Sequence, residues 1–150
     1  MNDFDFFIGK WNVANRRQDK WLVDSTNFAE FPGYSQCTRH FDGGANFDEI
    51  HFPDRGYSGL TLRLYDPERE EWTIYWANSR TGRLDPPMVG RFADGVGTFY
   101  GDDTYEGRPI KLKFIWSHIT PSSARWQQEL SDDDGVTWEL NWVMDFTRAE

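Results

Sequence analysis

The sequence predicts an all-β protein: a single antiparallel up-and-down β-barrel of about ten strands, preceded by a short N-terminal helical turn. Three observations carry this prediction. Apolar residues recur with a period of two along most of the chain, as in KLKFIWSHI from Lys111 and WTIYWANSR from Trp72. Turn signals separate these runs at short intervals: Phe31-Pro32-Gly33, Asp42-Gly43-Gly44, Pro53-Asp54-Arg55-Gly56, Asp66-Pro67, Ala93-Asp94-Gly95 and Asp134-Gly135. A flat meander of this length would leave two unpaired edges, and closing it into a barrel removes them.

Taken in order, the opening turn covers Asp3 to Ile8. Strands follow at 10–17, 20–30, 34–42, 45–52, 57–66, 71–79, 88–93, 96–101, 108–119 and 124–147. The last span holds a hairpin at 131–137 and therefore reads as two strands. Alternation groups Leu60, Leu62 and Leu64 on one face, and likewise Trp72, Ile74 and Trp76. It groups Trp142, Met144 and Phe146, and it sets Leu112, Phe114, Trp116 and His118 opposite the lysines of their strand. No linker, composition break or internal repeat divides the chain, so 1–150 reads as one domain.

Composition narrows the function classes. Aromatic residues make up 17% of the chain, including eight Trp, which is too much apolar ring surface for a disordered polymer. A net charge of −9 argues against nucleic acid and anionic membranes, which select basic faces. The single cysteine, Cys37, rules out an intramolecular disulfide and fits a reducing compartment. The N-terminus lacks a basic region followed by an apolar stretch, and no apolar run is long enough for a membrane-spanning helix. The expectation is a cytoplasmic protein.

The opening stretch MNDFDFFIGKWNV places Gly9-x-Trp11 after the helical turn, at the entry to the first strand. This arrangement resembles the calycins, the superfamily of lipocalins and fatty-acid-binding proteins. FDFFIGKWNV, LYDPEREEWTIYWANSRTGRLDPPMVGRF and GTFYGDD together are similar to an uncharacterised bacterial family of the DUF1579 type, over nearly the whole chain. That likeness carries no activity with it. The calycin resemblance implies a plugged barrel end. Gly9 lets the chain turn sharply into the strand, Trp11 lies across the floor, and a basic side chain of the last strand, here Arg148, stacks on it. Nitrobindin-type haem barrels share the architecture. Their longer glycine-rich motif is missing, because Asn12-Val13-Ala14-Asn15 follows Trp11, so no haem is expected.

SDDDGVTW, residues 131–138, resembles the Asp-box hairpin of sialidases, a turn device without catalytic groups. Its acidic spacing does not fit a calcium loop. His40, His51 and His118 form no His-x-x-x-His unit, and no P-loop, dinucleotide or Gly-x-Ser-x-Gly motif is present. No metal and no cofactor are expected, and no catalytic residue is assigned.

The functional expectation comes from strand parity. Asn15, Asn46, Asn78, Arg80, His118 and Gln128 are expected to share the interior with Trp76, Trp116 and Trp142. Amides and an arginine among aromatic rings predict a ligand with an apolar body and an acidic head, since buried polar groups need partners. Arg80 is placed to hold a carboxylate. The segment RTGRLDPP reads either as part of a barrel mouth or as a surface loop. The expected role is binding of a small apolar or amphipathic, anionic molecule. One alternative is an isomerase- or lyase-type enzyme in the same cavity, with His118 or Tyr100 as acid or base. The other is a filled-barrel structural module, for which a homodimer is open.

Overall fold

Ten antiparallel strands close into a barrel in the computed structural model, which describes residues 1–23 and 25–149. They are β1 (Gly9–Gln18), β2 (Phe28–His40), β3 (Ala45–Phe52), β4 (Tyr57–Asp66), β5 (Glu71–Asn78), β6 (Met88–Ala93), β7 (Val96–Tyr105), β8 (Arg108–Ser117), β9 (Ser123–Ser131) and β10 (Glu139–Arg148). Each strand pairs with its neighbours in sequence, and β1 pairs with β10 to complete the ring, with Trp11 opposite Arg148. A 3-10 turn, Asp5–Phe7, precedes β1. Among the described residues no helix is long and apolar enough to cross a membrane.

The expected strands at 20–30 and 34–42 are in fact one strand, β2, which runs straight through Pro32-Gly33. Pro32 is tolerated because the ladder to β3 begins only at Tyr34, so at Pro32 only β1 lies alongside. A Cβ at Gly33 would sit 3.1 Å from Asn15 Nδ2 and 3.3 Å from the Phe52 ring. Residues 19–23 and 25–27 form a loop instead of a strand, and Asp24, inside the expected strand, lies outside the described residues.

Strand β4 inverts the apparent hydrophobic face. Thr61 and Arg63 are buried, whereas Leu60 is 39% exposed. Directly paired residues share a face of the sheet. Arg63 pairs with inward Asn46, and Leu62 pairs with outward Phe47, so the leucines lie on the outside. Gly59 is required here because a Cβ would overlap the ring of Trp76.

One end of the barrel is plugged. Phe4, Phe7 and Trp11 are each 1% exposed. The Trp11 indole N–H donates to the Phe7 carbonyl at 2.9 Å. Arg148 stacks on Trp11 with its guanidinium carbon 4.2 Å from the ring centroid, as the calycin resemblance implies. Its N–H groups donate to the carbonyls of Ile8 (2.7 Å), Phe6 (2.8 Å) and Pro121 (3.0 Å). Gly9 sits at φ +121°, and a Cβ there would meet Arg148 Nη1 at 2.6 Å, so both conformation and space demand glycine.

The β9–β10 connection is built as the Asp-box likeness implies. Asp133 accepts hydrogen bonds from the Thr137 hydroxyl, the Thr137 amide and Ser131, and these hold its carboxyl down at about 2.

Two expectations follow. Trp11→Ala should destabilise the fold by roughly 3–5 kcal/mol, the range for a large aromatic truncated in a core. Arg148→Ala should cost about 1.5–3 kcal/mol, as charged hydrogen bonds to backbone carbonyls are lost; denaturant melts check both. For Asp133 the folded pKa lies below the ordinary 3.8, so its contribution is complete above that value and is lost as pH falls through about 2. A carbon-13 NMR titration should find the Asp133 midpoint near 2, and Thr137→Val should move it upward.

Candidate functional site

The odd-numbered strands run away from the plug, so the connections β1–β2, β3–β4, β5–β6, β7–β8 and β9–β10 ring the opposite, open end. Between plug and opening lies a cavity of about 280 Å³. Phe7, Trp116 and Phe146 form its floor on the underside of the plug.

Just above the floor, a buried ion pair crosses β3 and β4. Arg63 donates to Asp48 at 2.7 Å and to the Asn46 side-chain oxygen at 2.8 Å, and its guanidinium stacks near Phe4 and Phe7, 5.2 Å from each centroid. Burial pushes the Asp48 carboxyl above its usual range, while Arg63 and Ser35 oppose that shift. The two charges neutralise each other within the barrel, while Arg63 Nε has no hydrogen-bond partner. Beside it, burial pushes the Cys37 thiol up to about 12, which removes it as a nucleophile.

The walls are aromatic. Trp126 meets Trp142 edge-on at 5.4 Å and Phe114 at 5.0 Å, and Trp76, Ile74 and Leu112 complete the lining. Trp142 is fixed by its indole N–H, which donates to Asn15 at 2.9 Å. A register shift in β10 between Leu140 and Trp142 turns Asn141 inward as well, and Gln128 donates to it at 3.2 Å.

The open end is charged. Arg17, from β1, lies over the Trp142 ring at 4.3 Å and the Trp21 ring at 5.0 Å, and donates to the Tyr57 hydroxyl at 3.4 Å. Its buried Nε has no hydrogen-bond partner, and among the described residues no carboxylate lies within ion-pair distance of it. Burial lowers its pKa; Tyr57 opposes this, and Arg55 and Arg80 add to it. Thr81, Asp85 and Pro86 also line the cavity, so RTGRLDPP shapes the mouth. Burial and the charge of Asp103 raise the pKa of Asp85.

Of the residues expected at a ligand site, Trp76, Asn78, Trp116, Gln128 and Trp142 line this one cavity. Asn46 is buried beside it, held by Arg63. Arg80 does not point inward as parity predicted. It is exposed on the rim with its guanidinium 3.9 Å from the Tyr57 ring centroid, because β5 ends at Asn78 and alternation ends with it. His118 is also exposed: β8 stops at Ser117, and His118 turns at φ 53° in the hairpin at the plugged end. Tyr100, 53% exposed, faces outward, so neither candidate acid or base reaches the cavity. Among the described residues no group of three or more His, Cys, Asp or Glu is placed to hold a metal ion.

The residues that sequence reasoning missed include Arg17, Trp126, Asp48 and Arg63. Parity with Asn15 marks Arg17, and parity with Gln128 marks Trp126. The leucines of β4 concealed Arg63.

With this geometry in hand, comparison with known proteins gives a likeness of fold. The solved structure of the S-type phycobiliprotein lyase CPES from Guillardia theta is similar to this chain. The TM-score is 0.60 at 11% sequence identity, over 98% of this chain and 90% of that one. The barrel is therefore of calycin-like architecture. No protein-family model and no curated protein sequence matches the chain.

The Cys37 environment makes a direct expectation. An aromatic disulfide reagent at pH 8 should leave native protein unlabelled and label one thiol once denaturant is added. Rapid labelling of the native protein would contradict the burial described above.

Proposed function

We propose that the barrel binds a small, partly apolar, anionic molecule, with its apolar body among Trp76, Trp126, Trp142 and Phe114 and its acidic head at Arg17. The observation that carries this reading is the state of Arg17. A guanidinium at the edge of an apolar chamber, with no carboxylate in ion-pair distance among the described residues, is suited to receive an anion; its unpartnered Nε does not by itself set it apart, since Arg63 Nε is unpartnered as well. A cation needed only for stability would have its counter-ion built in, as Arg63 has Asp48.

Arg55 and Arg80 strengthen the local positive field at that edge. Trp76, Asn78, Trp116, Gln128 and Trp142 supply the remaining contacts. The phycobiliprotein lyase of similar fold supports a barrel of this kind working on a small molecule, and it names no ligand for this chain. The cavity itself weighs against a filled structural module. An enzyme built on His118 or Tyr100 lacks access to it.

Titration of 3-phenylpropionate and of 3-phenylpropionamide, followed by tryptophan fluorescence and calorimetry, tests the reading. Arg17→Gln should weaken binding of the acid by about 1.5–3 kcal/mol, roughly tenfold to a hundredfold, and leave the amide nearly unchanged. Equal losses for acid and amide, or no loss, would remove Arg17 as the anion holder.

A further inference from the structure

Three guanidiniums stand along one edge of the mouth. Arg17, on β1, donates to the Tyr57 hydroxyl at 3.4 Å. Arg80, in the β5–β6 connection, holds its guanidinium carbon 3.9 Å from the centroid of the same Tyr57 ring. Arg55, in the β3–β4 connection just before Tyr57, lies over the Phe31 ring at 4.2 Å. Phe31 shares the inward row of β2 with Ala29, the direct partner of Arg17, so Arg55 stands one step along the β1–β2 wall from Arg17. Arg17 is half-buried, whereas Arg55 and Arg80 are exposed.

Among the described residues none of the three is in an ion pair. The chain does not lack counter-ions. It carries 25 acidic residues against 16 basic ones, and the exposed arginines Arg39, Arg69, Arg91 and Arg108 each have an Asp or Glu. Of the carboxylates on the cavity lining, Asp48 is taken by Arg63, while Asp85 leads into β6 and Asp103 is on β7. Like charges held together without a counter-ion oppose one another, and Arg55 and Arg80 both push the Arg17 pKa down. A bound anion removes that opposition, and removes more of it the greater its charge. The Tyr57 hydroxyl accepts from Arg17 and has no other partner among the described residues, so its own hydrogen is free for an oxygen of the ligand.

We infer that the acidic head carries two negative charges on one centre, as a phosphate monoester does, with the apolar body below it among the tryptophans. This deepens the anionic-ligand reading and rests on Arg17 as the anchor of the head. A carboxylate presents two oxygens in one plane, which a single guanidinium satisfies. A phosphate monoester presents three terminal oxygens directed apart and a charge of about −2 at pH 8. Arg17 and the Tyr57 hydroxyl then hold the side facing the cavity, and the exposed arms of Arg80 and Arg55 close on the oxygens facing out. A singly charged head would leave two of the three guanidiniums without an anion.

Phenyl phosphate, phenyl sulfate and 3-phenylpropionate, titrated at pH 8 and followed by calorimetry, provide the test. The first two share ring and tetrahedral head and differ in charge, and the third is the planar monoanion. Phenyl phosphate should bind at least about tenfold tighter than phenyl sulfate, as expected for an added charged hydrogen bond. The double variant Arg55→Gln, Arg80→Gln should remove that advantage and change the affinity for phenyl sulfate and 3-phenylpropionate far less. Both side chains are exposed, and an unchanged denaturant melt confirms the fold. Phenyl phosphate binding no tighter than phenyl sulfate, or keeping its advantage in the double variant, overturns the doubly charged head. If phenyl sulfate or 3-phenylpropionate still binds in an Arg17-dependent way, the anionic-ligand reading stands without it; if no probe binds with dependence on Arg17, both fall.

Discussion

Arg148 is the constraint on which the one-ended barrel depends. A single guanidinium covers the Trp11 ring and ties the carbonyls of Phe6, Ile8 and Pro121, so it joins the last strand, the N-terminal turn and the β8–β9 hairpin at one point. Carbonyls at a chain reversal have no ladder partner and would otherwise be buried unsatisfied. With them satisfied, Phe4 and Phe7 can enter the barrel and close it. The opposite end has no such plug, and the cavity opens there. Access to the cavity is thus confined to the open-end connections by what happens at the other end.

The plug also explains why a charged pair sits inside the barrel. Arg63 lies against the faces of Phe4 and Phe7 and takes its counter-ion from Asp48. Removing one partner from such a pair leaves an uncompensated buried charge, with a cost of about 3–5 kcal/mol. The pair brings directional hydrogen bonds to a core otherwise made of rings, and so fixes β4 with Arg63 inward and its leucines outward. The same comparison separates the two interior arginines. Arg63 has anion, amide and ring partners, whereas Arg17 has rings and a phenol only.

Most of the barrel was legible because alternation and turn residues report local geometry. Trp72, Ile74, Leu112, Phe114, Trp116, Trp142, Met144 and Phe146 all face inward as parity requires. Parity failed in two ways, both physical. It holds only while a strand lasts, and β5 and β8 end just before Arg80 and His118. It also gives two faces without saying which is inside, and on β4 the more hydrophobic face, that of the leucines, lies outside. The choice is made by pairing across β3, a long-range fact absent from the local pattern. Pro32-Gly33 misled for a similar reason. A proline breaks a ladder only where a partner needs its N–H, and the β2 edge there has none.

The charge of the whole molecule bears on how the cavity is reached. At −9, the protein repels an anion that approaches from a distance. Salt screens that repulsion over about 8 Å at physiological ionic strength, so what an incoming ligand meets is set by the rim. There Arg17 donates to the Tyr57 hydroxyl, Arg80 lies over the Tyr57 ring, and with Arg55 they form a local field of opposite sign to the whole. Asp85 and Asp103 across the mouth keep that field from extending over the entire opening. Negative charge is therefore favoured on the β1 side of the mouth and disfavoured on the side opposite. The division of charge thus makes the two sides of the mouth electrostatically unlike, with the positive side at β1.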